Sequence, residues 1–179
     1  MDVIRDEHRV LERVLNLFEG LASDDASLAR AVESGKIALI LRFLFNFSSA
    51  VHHPKEEGIL YPALAAKDLS GALYLDGYLN GHAIDYALLQ GIETALAGAG
   101  NAPGRARLGD AIRVYVAQKR RHIKREDEIV LPRAQQVLGA EDLAAMAAAF
   151  AAKNGASAYA KWRAEWDSLV DAGDSGRAD

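Results

Sequence analysis

The chain has 179 residues, a net charge of −4 at neutral pH, 50% apolar residues, four prolines and no cysteine. That length suits one compact domain with a sizeable core, and the acidic balance speaks against nucleic acid as a partner. Without cysteine there are no disulfides and no thiolate metal site, which argues against copper(I) and iron–sulfur clusters, so any metal is expected on nitrogen and oxygen.

The first helix is expected over about Asp2 to Gly20, with Ile4, His8, Leu11, Leu15 and Phe18 at three- and four-residue steps. His8 thus stands inside the apolar stripe. Ser23, Asp24, Asp25 and Ala26 read as a break with capping residues. The second helix ends near Lys67, starts anywhere from Ser27 to Ser34, and turns Phe45, His52, Glu56 and Ile59 inward. Its most apolar run, Ile37 to Phe47, is broken by Arg42 and Asn46 and is too short to span a bilayer. The third helix covers about Ser70 to Ala97, with Leu75, Tyr78, Leu79, His82, Tyr86 and Leu89 aligned. Residues 98–104, rich in glycine, form the clearest loop. The fourth helix follows to about Leu138 with Tyr115, His122, Glu126 and Ile129 on one side, and Gly139 ends it. Two shorter helices, about Glu141 to Lys153 and Ala158 to Val170, precede a polar end.

Four long helices with short connections predict an all-α protein: an up-down-up-down antiparallel four-helix bundle with two short additional C-terminal helices. Residues 1–139 would form the metal-binding bundle, 140–172 a helical extension packed on it, and 173–179 a frayed tail. The first residues lack the apolar core of a signal peptide. A cytoplasmic protein without membrane contact is therefore expected.

Chemistry enters through a repeat. His52, Glu56, Ile59 and Pro62 recur with the same spacing as His122, Glu126, Ile129 and Pro132. Residues four apart share one face of a helix, so each copy points an imidazole and a carboxylate the same way. In an antiparallel bundle Glu56, His82 and Glu126 fall roughly 15–18 Å from the same end, with His8 somewhat closer to it. The inward set is then His8, His52, Glu56, His82, His122 and Glu126. Buried carboxylates are costly unless compensated, and no lysine or arginine is expected on these inward faces. Metal ions are the natural compensation. Four imidazoles and two bridging carboxylates supply about eight of the ~12 bonds that two six-coordinate ions need. A bridging oxo or hydroxo group adds two, leaving about two positions for water or a small molecule. Two iron ions are the economical reading, with zinc or manganese as possible substitutes. Stripped of metal, the two carboxylates are expected to titrate above their usual range through repulsion and desolvation.

Near-alternatives exist. His53 and Glu57 form a second i,i+4 pair about 100° around the same helix. Asp127 could take the place of Glu126. The basic run from Lys119 to Arg125 is expected to be a solvated face.

Glu7-His8-Arg9 on the first helix, the His-x-x-x-Glu motifs on the second and fourth, and Gly81-His82 on the third together resemble the hemerythrin-like family, or HHE cation-binding domain. The likeness covers about residues 2 to 138. It implies a four-helix bundle around a non-haem di-iron centre with the same six ligands. Where oxygen carriers of the family have a further histidine on the third helix, this chain has Tyr86, which is expected to line the open side of the metals. The extra histidine of the iron-centre-repair branch is absent. The resemblance implies binding of O2, NO or peroxide for carriage, sensing or scavenging. The alternatives are a di-iron oxidoreductase acting on the same small molecules and an iron-handling or regulatory module. No protein partner is predicted.

Overall fold

The computed structural model describes residues 1–155, 161–167 and 169, apart from the side chains of 69–74. The described residues are helical throughout, without a strand. They form α1 (Asp2–Leu21), α2 (Asp25–Glu33), α3 (Lys36–Lys67), α4 (Leu69–Ala97), α5 (102–137), α6 (Ala140–Asn154) and a further helical stretch at 161–167. The end residues expected of the last helix, and residues 173–179, lie outside the described residues.

Local chemistry sets the breaks. The Asp24 carboxylate accepts the Ser27 backbone N–H at 2.9 Å and caps α2, a contact typically worth ~1 kcal/mol. Gly35 takes a left-handed φ of 72°, which glycine adopts without steric cost. There the chain bends by 78° between α2 and α3, so residues 25–33 form a helix of their own instead of the start of the second long helix. The glycine-rich loop is shorter than expected. Asn101 caps α5 by accepting the Gly104 N–H at 2.8 Å, and Pro103 lies in the first helical turn, where its missing N–H costs nothing. A Cβ on Gly104 would lie 1.9 Å from the Gly98 carbonyl oxygen, so this turn closes only on glycine.

Three stretches inside the long helices are π-helical: Phe45–His52, Glu56–Leu60 and Glu126–Val130. Hydrogen bonds there reach five residues instead of four, and the side-chain phase slips by one position. Leu60 and Val130 are consequently buried, whereas Ile59 is only half-buried and Ile129 is 47% exposed, contrary to the inward placing expected of both. Pro62 and Pro132 follow directly in the first turn of the next α segment, which explains how two prolines sit within long helices without breaking them.

The core has two apolar clusters. One gathers Leu11, Phe18, Phe43, Phe47, Leu89, Ile112 and Tyr115; the other gathers Ile4, Leu60, Leu64, Tyr78, Val130 and Leu131. On each of α1, α3, α4 and α5 the histidines and glutamates of interest fall between the two. Met146 and Phe150 of α6 join the second cluster, and Trp162 joins the first, 4.6 Å from Phe47 by ring centroids. Among the described residues no single helix is long and apolar enough to cross a membrane.

Candidate metal centre

The six side chains expected inward meet in the layer between the clusters. His8, His52, Glu56, His82, His122 and Glu126 are all buried. Glu56 Oε1 lies 3.3 Å from His52 Nε2 and 3.5 Å from His8 Nε2, and its other oxygen lies 3.3 Å from His82 Nε2. Glu126 Oε2 lies 3.3 Å from His122 Nε2 and 3.4 Å from His8 Nε2. Two adjacent groups can each hold a cation: His8, His52, Glu56 and Glu126, and then His82, His122 and Glu126. The carboxylates span the two.

Hydrogen bonding tests whether a metal fits. The four Nε2 atoms, both oxygens of Glu56 and Oε2 of Glu126 are buried without a hydrogen-bond partner. Buried polar atoms are normally paired, and seven converging orphans form a nitrogen and oxygen donor set suited to iron, zinc or manganese. The opposite ring nitrogens of three histidines are, by contrast, occupied. His8 Nδ1–H donates to Asp127 Oδ1 at 2.9 Å, His52 to Glu7 Oε2 at 3.1 Å and His82 to Glu57 Oε1 at 2.7 Å. Such outer carboxylates fix the tautomer that leaves Nε2 free to ligate. Glu57 and Asp127, weighed from sequence as substitute ligands, thus stand in the outer layer. A third group, His53, Glu57 and His82, is a poorer cation site, because Lys119 Nζ donates to His53 Nε2 at 3.1 Å.

The charge balance without metal differs from the expectation. Burial and mutual repulsion push Glu56 up, yet His52, His8 and His82 together hold it down to about 2. Glu126 is likewise held well below the usual range, its burial outweighed by His122 and His8. Burial lowers His8 and His82, but Asp127, Glu126 and Glu56 around the first, and Glu56 beside the second, bring both above their ordinary value. His8 and His82, not the two carboxylates, are the groups whose hold on a proton is strengthened. His52 moves down, chiefly through burial.

Sequence reasoning missed several residues. Tyr61 is buried and its hydroxyl donates to Glu126 Oε1; burial and the two carboxylates push its pKa far up, so it acts as a neutral donor. Lys55 and Lys119 are fully buried, so the inward faces do carry cations. Lys55 pairs with Glu7, and Lys119 Nζ donates to Asp85 Oδ2 at 3.0 Å. The basic run is therefore split: Lys119 points inside, while Arg120 pairs outside with Glu12 and Glu19 of α1. Tyr86 does not line the centre. It is 47% exposed, its ring edge-on to Phe45, and Asp85 takes the inward position one residue earlier. The i+3 step from His82 was the inward one, and the buried Lys119–Asp85 pair explains how a carboxylate can occupy it. Removing one member of such a pair costs ~3–5 kcal/mol. Lys119→Met is expected to lower unfolding free energy by that amount in urea titration, and adding Asp85→Asn to recover most of it. A Lys119→Met protein of full stability would show that the pair carries no weight.

The geometry thus defines a helical protein with a buried cation-binding centre. The chain matches the family model "Hemerythrin HHE cation binding domain" over residues 1–134 and belongs to that family. No match was found among curated proteins or among solved structures.

Proposed function

We propose that this chain binds two iron ions through His8, His52, Glu56, His82, His122 and Glu126, and that it binds a small ligand (O2, NO or peroxide) for carriage, sensing or scavenging. On this reading α1, α3, α4 and α5 are the four antiparallel helices of the bundle. The observation that carries the proposal is the convergence of seven unpaired donor atoms from four helices on one buried layer. Bound iron would supply electron exchange and open positions for a small molecule.

The protein's own residues do the rest. Four Nε2 atoms point at the centre, and for His8, His52 and His82 the carboxylates of Asp127, Glu7 and Glu57 accept Nδ1–H and so direct Nε2 to the metal side. Glu56 and Glu126 compensate the metal charge inside an apolar bundle. The Tyr61 hydroxyl holds Glu126 in orientation and places one proton donor at the edge of the centre. Leu60, Val130 and the two core clusters keep bulk water away. A groove of ≈640 Å³ between α1 and α5 has His8 and Asp127 in its lining, so the outer side of one proposed ligand faces an open approach.

Elemental analysis after anaerobic iron reconstitution is expected to give about two irons per chain, and optical spectra of the reduced protein should change on adding NO. One iron per chain would overturn the dinuclear reading. Unchanged spectra would overturn the small-ligand reading.

A further inference from the structure

Three of the four histidines in the centre are backed by a carboxylate, and the backing follows a rule. Each carboxylate is the chain neighbour of a proposed ligand on one helix, and it reaches the histidine of another helix. Glu7, beside His8 on α1, serves His52 on α3; Glu57, beside Glu56 on α3, serves His82 on α4; Asp127, beside Glu126 on α5, serves His8 on α1. The remaining step runs from α4 to α5. The residue beside His82 that meets His122 is Gly81.

A Cβ at position 81 would lie 2.6 Å from His122 Nδ1 and 2.9 Å from its Cε1. The ring edge that elsewhere meets a carboxylate here lies against bare backbone. An acidic residue at 81 could not be accommodated without displacing the imidazole. Among the described residues, the carboxylate that His122 approaches is Glu126, through its other nitrogen. Its ring is flanked by those of Tyr78 and His82, at 5.8 and 4.8 Å between centroids.

We infer that the two metal positions differ in strength, and that the ion held by His82 and His122 leaves first because Gly81 denies His122 an outer carboxylate. The inference rests on the two-ion reading above. An outer carboxylate raises the basicity of the imidazole it bonds and fixes its orientation, and losing one typically costs ~10–100-fold in metal affinity. His8 and His52, on the other position, both have one. The partner of His52, Glu7, is itself buried and held by Lys55. The weaker position is thus the exchangeable one, where ions load and leave, while the stronger one keeps the bundle closed.

The test is metal release. Protein loaded with cobalt(II), its content measured beforehand, is mixed with excess chelator, and complex formation is followed by absorbance. Two phases are expected, with rates ~10–100-fold apart. His122→Ala should abolish the fast phase and keep the slow one; His52→Ala should abolish the slow one. Gly81→Ala, which presses on the His122 ring, should speed the fast phase alone. Glu7→Gln with Asp127→Asn should bring the slow phase towards the fast one without changing the number of ions bound. Two ions leaving in one phase, or a fast phase lost in His52→Ala and retained in His122→Ala, would overturn the inference while leaving the two-ion reading intact. A single ion at the outset would overturn both.

Discussion

Stripping the metal from loaded protein is expected to lower its melting temperature by ~10–30 °C. The figure follows from mass action. With free metal about a thousandfold above the dissociation constant, each site adds ~4 kcal/mol to the folded state. In a chain of this size each kcal/mol moves the midpoint by ~2–4 °C. The physical cause is the set of unpaired buried donors, which lose their common partner. The difference should also depend on pH, with a definite sign. His8 and His82 bind protons more tightly in the metal-free fold than they would in an unfolded chain. Their contribution to metal-free stability is therefore present below ~6.5 and is lost as pH rises through their higher folded values. The same protons compete with metal. The melting difference between loaded and stripped protein should accordingly be wider at about pH 8 than at about pH 6. Superimposable melting curves would show that the centre holds no metal, and an equal difference at both pH values would show that these two imidazoles do not carry the competition.

Glu56→Ala and Glu57→Ala should behave very differently, although the residues are neighbours. Glu56 is fully buried and touches three of the histidines through both oxygens. Its removal takes away a carboxylate of the first candidate position that also faces His82 of the second, and bound metal should fall below about one ion per chain after gel filtration. Glu57 is 43% exposed and touches the centre only through His82 Nδ1. Its removal should leave the number of ions unchanged and weaken binding by ~10–100-fold. Metal content and competition titration of both variants separate these outcomes, and equal losses would mean that both carboxylates belong to one layer.

The sequence made the helices and the meeting of the six inward side chains legible because both follow from period. Apolar residues at three- and four-residue steps define the stripes, and the doubled His-x-x-x-Glu spacing marks the polar band crossing them. What escaped was phase and pairing. A helical wheel assumes constant pitch, whereas the π turns after His52 and His122 advance it by one residue. Leu60, Val130 and Tyr61 come in for that reason, and Ile129 goes out. At His82 the four-residue step placed Tyr86 inward, whereas the three-residue step to Asp85 is the buried one, and a lone buried aspartate is costly. That cost is removed by Lys119, thirty-four residues further along the chain. Lys119 itself stood in the stripe of Tyr115, His122 and Glu126, but its charge argued for water. The errors of pairing arose where two groups, unfavourable to bury singly, are buried together.

The distribution of donors along the chain divides the centre into halves. His8, His52 and Glu56 come from the N-terminal pair of long helices, α1 and α3; His82, His122 and Glu126 come from the C-terminal pair, α4 and α5. The first pair is joined through α2 and the second by the turn at 98–101, and loop closure grows only slowly in cost with length. The carboxylates then reach across: Glu56 towards His82, and Glu126 towards His8. The centre is therefore a seam between two similar halves of the chain, each carrying the same motif, π turn and proline. On the proposed reading, an ion placed there would tie His8 to Glu126, far apart in the chain, and metal supply would govern how firmly the two halves stay closed.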